Sequence, residues 1–83
     1  MSKLPVISGR RLCQIFGKLD YFIDHRTGSH IILRQKDAPH RRLTVPDHEE
    51  LAKGTLRAII RQAGLTVGEF KELIKDQYVA DLR

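Results

Sequence analysis

Apolar residues recur at helical spacing near the start of the chain. Leu12, Ile15, Phe16 and Leu19 fall at i, i+3, i+4 and i+7, which lines one face of a helix of about three turns beginning at Ser8. Ser8 is the expected N-cap, because its hydroxyl can accept a backbone N–H of the first turn. Arg10, Arg11, Gln14 and Lys18 fall off the stripe and are expected to face solvent. The period then changes: Tyr21-Phe22-Ile23 is aromatic and β-branched, Thr27-Gly28 reads as a tight turn, and Ile31-Ile32-Leu33 continues as a second strand. Asp37-Ala38-Pro39 supplies the next turn. Leu43 and Val45 alternate with Arg42 and Thr44 in a third strand that Pro46 ends. The short connections make these three strands an antiparallel meander.

After the polar link from Pro46 to Glu50, Leu56, Ile59, Ile60 and Ala63 repeat the helical spacing. Gly64 stands where a left-handed residue ends such a helix. Thr66-Val67-Gly68-Glu69 has the form of a capping box, and Val67, Phe70, Leu73 and Ile74 follow as the apolar face of a third, shorter helix. The order is therefore α-β-β-β-α-α, an α+β domain with one layer of helices on one face of a small antiparallel sheet.

The chain has 83 residues, which allows a single domain, 1–83. A domain this small buries only about 60% of the surface its unfolded form exposes, so a large enclosed cavity is excluded and any chemistry is expected on an open surface. With 41% hydrophobic and 30% charged residues, the composition is neither disordered nor fibrous. The lone Cys13 cannot form an internal disulfide, no stretch reaches the length of a membrane span, and the N-terminal residues lack the apolar run of a secretion signal. A cytoplasmic location and no membrane partner are expected. Net charge is +5, and residues 1–48 hold nine basic against four acidic side chains and all four histidines, while residues 49–83 hold six of each sign. That asymmetry points to an anionic partner on the front half, with nucleic acid the first candidate.

Gly28-Ser29-His30 is the first constellation with chemistry. A histidine just past a glycine turn can be held rigidly by its strand yet stay reachable, and imidazole is suited to take a proton from a ribose 2′-hydroxyl or give one to a leaving oxygen. Gly28 lets a phosphate approach the backbone, and Ser29 can donate to it. Strand histidines are nevertheless more often structural, so the tripeptide alone is weak. If Ile31 and Leu33 face the core, His30, Ile32 and Arg34 share the open face; if Ile32 faces it, His30 lies beneath the helices. The apolar count favours the first arrangement. Arg26, Arg34, Lys36, Arg41 and Arg42 are placed to track a phosphate backbone. Tyr21, Phe22, Phe16 and Phe70 are expected in the core, which argues against a stacking platform for single strands and for recognition of shape and phosphate. Cys13, His25, His30, His40 and His48 match no paired-ligand spacing, so neither a metal nor another cofactor is expected. No Ser-His-Asp set or phosphate-cradling glycine loop is apparent.

Four segments together carry a family resemblance: Ser8-Gly9-Arg10, Gly28-Ser29-His30-Ile31-Ile32, Thr44-Val45-Pro46-Asp47-His48, and the run from Gly54 to Leu65. In order and spacing, from about Ser8 to Phe70, the chain resembles the HicA toxins, also called YcfA-like mRNA interferases. The resemblance implies a fold similar to a double-stranded-RNA-binding domain and a toxin that cleaves mRNA without a metal or the ribosome. It makes His30 the catalytic residue. It also implies neutralisation by a HicB-like antitoxin protein, with operator DNA contacted only through the toxin–antitoxin complex. Two positions depart from the family: Asp20-Tyr21 stands where Gly-Phe is usual, and His25 where many members have arginine, a charge that Arg26 can supply. Past Phe70 the pattern does not extend, and Lys71 to Arg83 is expected to be a helix extension, an antitoxin contact or a tail, with 76–83 the candidate tail.

The preferred reading is a small ribonuclease in which His30 is the general base and nearby cations stabilise the phosphorane charge. His48 or Lys36, or water, would supply the acid. A non-catalytic module that binds RNA or antitoxin on the same fold is the alternative. A DNA-binding repressor fits poorly, because the segment from Val67 to Lys75 carries balanced charge.

Overall fold

The computed structural model describes residues 4–81, and the side chains up to Lys75. Helix α1 (Gly9–Phe16) leads through a single 3-10 turn (Gly17–Leu19) into β1 (Tyr21–Thr27), β2 (His30–Gln35) and β3 (Arg42–Pro46), and α2 (Lys53–Gln62) and α3 (Val67–Asp81) follow. The strands form one antiparallel sheet in the order β1-β2-β3. The α-β-β-β-α-α order is therefore present as expected.

Local chemistry sets each boundary. The Ser8 hydroxyl accepts the Arg11 N–H at 3.0 Å and caps α1. Helix α2 ends in a Schellman arrangement: Gly64 is left-handed at φ +79, its N–H donates to the Arg61 carbonyl at 2.9 Å, and the Leu65 N–H reaches back to Ile60 at 3.1 Å. Only glycine takes this conformation without a Cβ penalty. The capping box of α3 is reciprocal, with the Glu69 N–H donating to Thr66 Oγ1 at 3.0 Å and the Thr66 N–H to Glu69 Oε1 at 2.8 Å. Helix α3, fifteen residues long, is the longest of the three rather than the shortest. Its backbone is helical as far as Asp81, a helix extension past Phe70, and residues 82–83 lie outside the described residues.

The core forms between the helices and one face of the sheet. Leu12, Ile15 and Phe16 of α1 meet Ile31 and Leu33 of β2, Leu43 and Val45 of β3, Leu56, Ile59 and Ile60 of α2, and Phe70 and Ile74 of α3. Phe16 sits at its centre, with ring centroids 5.4 Å from Tyr21 and 6.2 Å from Phe70. Register puts the remaining strand positions on the opposite, outer face. Phe22, Arg34 and Arg42 form one cross-strand row, His25, Ile32 and Thr44 the next, and Thr27, His30 and Pro46 the last. Ile31 and Leu33 thus face the core, and His30 faces outward with Ile32 and Arg34. Ile32 is only 5% exposed and lies outside the core cluster, between its register partners His25 and Thr44 on the outer face.

Phe22 corrects an expectation. It is 46% exposed, because β1 is an edge strand whose alternation, fixed by buried Tyr21, turns Phe22 away from the helices. Ile23, on the core side of the same strand, is 50% exposed, and the register shifts at a bulge between Ile23 and His25.

Asp20, in place of the usual glycine, takes the left-handed conformation at φ 66, which aspartate tolerates better than most side chains. Tyr21 follows it into the core, and its hydroxyl is buried without a hydrogen-bond partner; burial raises its pKa. A buried unpartnered hydroxyl costs stability that a phenylalanine does not lose. Tyr21→Phe is therefore expected to raise stability by about 1 kcal/mol, read as a higher denaturation midpoint with an unchanged m-value.

Candidate active site

Three chain segments converge where β2 begins and β3 ends. Gly28 and Ser29 form a two-residue turn between β1 and β2, closed by the Thr27–His30 pair. Gly28 has φ +54, and Ser29 does not enter the positive-φ region, the pattern of a glycine-first hairpin turn. Nothing stands within 4 Å of the place a Gly28 Cβ would occupy, so the turn backbone is open to an approaching group. The turn is tied to the loop after β3: His30 pairs with Pro46, and the Asp47 N–H donates to the Ser29 carbonyl at 2.7 Å. His30 is exposed on the outer face at this end.

The third segment is the start of α1. The Gly9 N–H donates to the His48 carbonyl at 2.9 Å, and a Cβ at Gly9 would collide with the Pro46 carbonyl oxygen. Glycine is thus required here for close approach. Seated in this way, Arg10 donates from Nε to Asp47 Oδ1 at 3.1 Å, and Arg26 donates from β1 to Asp47 Oδ2 at 3.3 Å. One carboxylate between two guanidiniums leaves the trio with a net positive charge at the same end of the sheet as the Gly28-Ser29 turn, on the helix side rather than on the outer face with His30. These bonds hold the Asp47 carboxyl below the usual aspartate range, the Arg10 hydrogen bond being the largest cause.

The anticipated site residues do not all gather here. Gly28, Ser29 and His30 do; Arg26 reaches the same end of the sheet, but it pairs with the core-facing Ile31 and so stands on the helix side, the face opposite His30. His48 reaches the same end through its backbone, but its exposed side chain lines an open depression of about 520 Å³ with Ser8, Arg10, Asp47 and Glu49, whose lining does not include His30. Arg34 and Arg42 face each other across β2 and β3, four residues along from His30. Lys36 and Arg41 lie past the other end of β2. There Lys36 donates its N–H to the Asp20 carbonyl at 2.8 Å, and the Arg41 guanidinium donates to the Gln62 carbonyl at the end of α2 at 3.2 Å. Arg10 and Asp47 belong to the site although the sequence reading gave neither a role. Their presence in the Ser8-Gly9-Arg10 and Thr44-Val45-Pro46-Asp47-His48 segments that carry the family resemblance was the available signal.

Other reactive groups stand apart. Burial pushes the Cys13 thiol up to about 11, so it is protonated at neutral pH and a poor nucleophile. His25 Nδ1 lies 2.7 Å from Asp24 Oδ2 on the edge strand. Among the described residues no three His, Cys, Asp or Glu side chains gather into a metal-binding group, and no helix is long and apolar enough to cross a membrane.

The lowered Asp47 pKa has a pH signature. Its contribution to stability is present above the unfolded aspartate value and is lost as pH falls through the lower folded one. Wild type is therefore expected to lose thermal stability on acidification below the usual aspartate range. Asp47→Asn should be less stable at neutral pH and show a shallower acid loss, read from melting temperatures across a pH series.

A comparison with curated proteins returned no match. The family model for the HicA toxin of bacterial toxin–antitoxin systems matches residues 9–65, from the glycine that seats α1 to the residue that closes the Schellman turn of α2. The matched span includes the Gly28 turn, His30, Arg10, Arg26 and Asp47. With more than half of its length matched, the chain belongs to the HicA toxin family.

Proposed function

We propose that this toxin is an endoribonuclease that cleaves mRNA without a metal or other cofactor, with His30 as its catalytic residue. The observation that carries the reading is the placement of His30. Its side chain is exposed, its strand is anchored on both sides, and its turn is locked by the Asp47–Ser29 bond beside the Arg10–Asp47–Arg26 cluster. Membership of a family of mRNA-cleaving toxins supports the same chemistry.

In the proposed step the His30 imidazole removes the proton from a ribose 2′-hydroxyl. The 2′-oxygen then forms a bond to the adjacent phosphorus, and the bond from phosphorus to the 5′-oxygen breaks. The products are a 2′,3′-cyclic phosphate and a 5′-hydroxyl, whose proton comes from water or from a second group, with His48 the candidate at this end of the sheet. Charge building on the phosphorane is offset by the Gly28-Ser29 backbone and by the Ser29 hydroxyl, with Arg26 adding positive charge at the same end of the sheet. Arg34, Lys36, Arg41 and Arg42 lie further along the chain's basic half as phosphate contacts. The protein partner is a HicB-like antitoxin, operator DNA is met only through that complex, and the site of action is the cytoplasm.

The test is RNA cleavage by the purified chain in EDTA beside His30→Ala, with circular dichroism confirming that both are folded. Wild type is expected to cut and leave cyclic phosphate ends, and His30→Ala to lose activity by at least about a hundredfold. Equal activity in the two proteins, or no cleavage by either, overturns the reading; binding without cleavage would leave a non-catalytic module.

A further inference from the structure

We infer that the outer face of the sheet holds the RNA as a single strand, with Phe22 stacked on a base and Arg34 and Arg42 gripping phosphates on one side of the nucleotide whose 2′-hydroxyl His30 deprotonates. This rests on the ribonuclease reading and names the form of its substrate.

The row Phe22-Arg34-Arg42 runs straight across the three strands. Two arginines directly opposite one another repel, and none of the cross-strand positions on the outer face carries a carboxylate. Asp24, the one acid of β1, lies in the bulge and is bonded to His25. Among the described residues neither Arg34 nor Arg42 has an ion pair. A pair left uncompensated in this way matches a polyanion. Beside it Phe22 is 46% exposed, an aromatic surface next to cations, which is the combination that holds single-stranded nucleic acid. A duplex keeps its bases stacked on each other and offers no free base to Phe22.

The row is also at a useful distance. His30 and Arg34 lie on the same face of β2 four residues apart, about 13 Å at strand rise, so a stretched segment of RNA can touch both at once. The arrangement separates binding from chemistry: His30 and the Gly28-Ser29 turn stand at the reacting end, and the aromatic–arginine row takes a neighbouring nucleotide.

The experiment follows binding by fluorescence anisotropy in the His30→Ala background, where RNA stays intact, using a fluorescein-labelled single-stranded oligonucleotide of mixed sequence and the same strand annealed to its complement. Phe22→Ala is expected to weaken single-strand binding roughly tenfold with little change in salt dependence. Arg34→Gln with Arg42→Gln should lower the slope of log K against log salt by about 1.4. Phe22→Tyr should retain binding while Phe22→Leu does not, which distinguishes stacking from packing. With His30 restored, Phe22→Ala should raise KM and leave kcat near wild type.

If wild type cleaves RNA and the Phe22 and arginine variants bind and cleave as it does, this inference alone is overturned. If wild type cleaves nothing, the ribonuclease reading fails, and the anisotropy arm still reports whether the face takes single strands. Equal affinity for the duplex, or no response of either RNA form to the variants, overturns the inference, the second result leaving the face to a protein partner.

Discussion

Asp47 holds together parts of the chain that have no local reason to meet. Its N–H is spent on the Ser29 carbonyl and its two oxygens on Arg10 and Arg26, so one residue at the exit of β3 fixes the β1–β2 turn, the start of α1 and the edge strand. These bonds span 37 and 21 residues of sequence. Because Gly9 lacks a Cβ, α1 can come down against Pro46 and His48 and deliver Arg10 to the carboxylate. His30 inherits its position from this arrangement, since the turn that precedes it and the strand that pairs with it are both fastened.

The division between the two faces of the sheet follows from the register. Ile31, Leu33, Leu43 and Val45 take the inner face and supply the core with the helices, which leaves β2's remaining positions, His30, Ile32 and Arg34, with no choice but the outer one. In a chain of 83 residues the helices suffice to cover one face only, and the second face is free for function. The mixture found there, two histidines, two facing arginines and an aromatic ring, is costly for an isolated sheet and coherent for the RNA-binding surface proposed above.

Much of this was legible in the sequence where short-range rules govern. Ser8, the Thr66–Glu69 box, Gly64 and the Gly28 turn each announce a specific backbone geometry within four residues, and each adopts it. The face taken by His30 was legible because two of three neighbouring apolar residues had to be inside. What escaped was non-local. The ion pairs of Asp47 join residues whose meeting depends on how the helix lies over the sheet, so Arg10 looked like a solvated cation and Asp47 like part of a link. Phe22 looked like core because Tyr21-Phe22-Ile23 is apolar throughout, and nothing in three consecutive apolar residues tells an edge strand from a covered one. The length of α3 is left open by the sequence, since no glycine or proline after Ile74 marks where the helix stops, and its backbone continues to Asp81.

The bulge in β1 has a consequence for life in a crowded solution. A strand of seven residues at the border of a sheet, with Phe22 and Ile23 exposed beside each other, is a template on which a second copy of the chain could build a continuous sheet. The interruption between Ile23 and His25 breaks that template in the middle. Asp24, His25 and Arg26 follow at once with charge and polarity where an incoming strand would need a flat, neutral border. The same irregularity that lets β1 turn Arg26 toward Asp47 thus acts as a guard against self-association, so that solubility and the assembly of the site come from one extra residue.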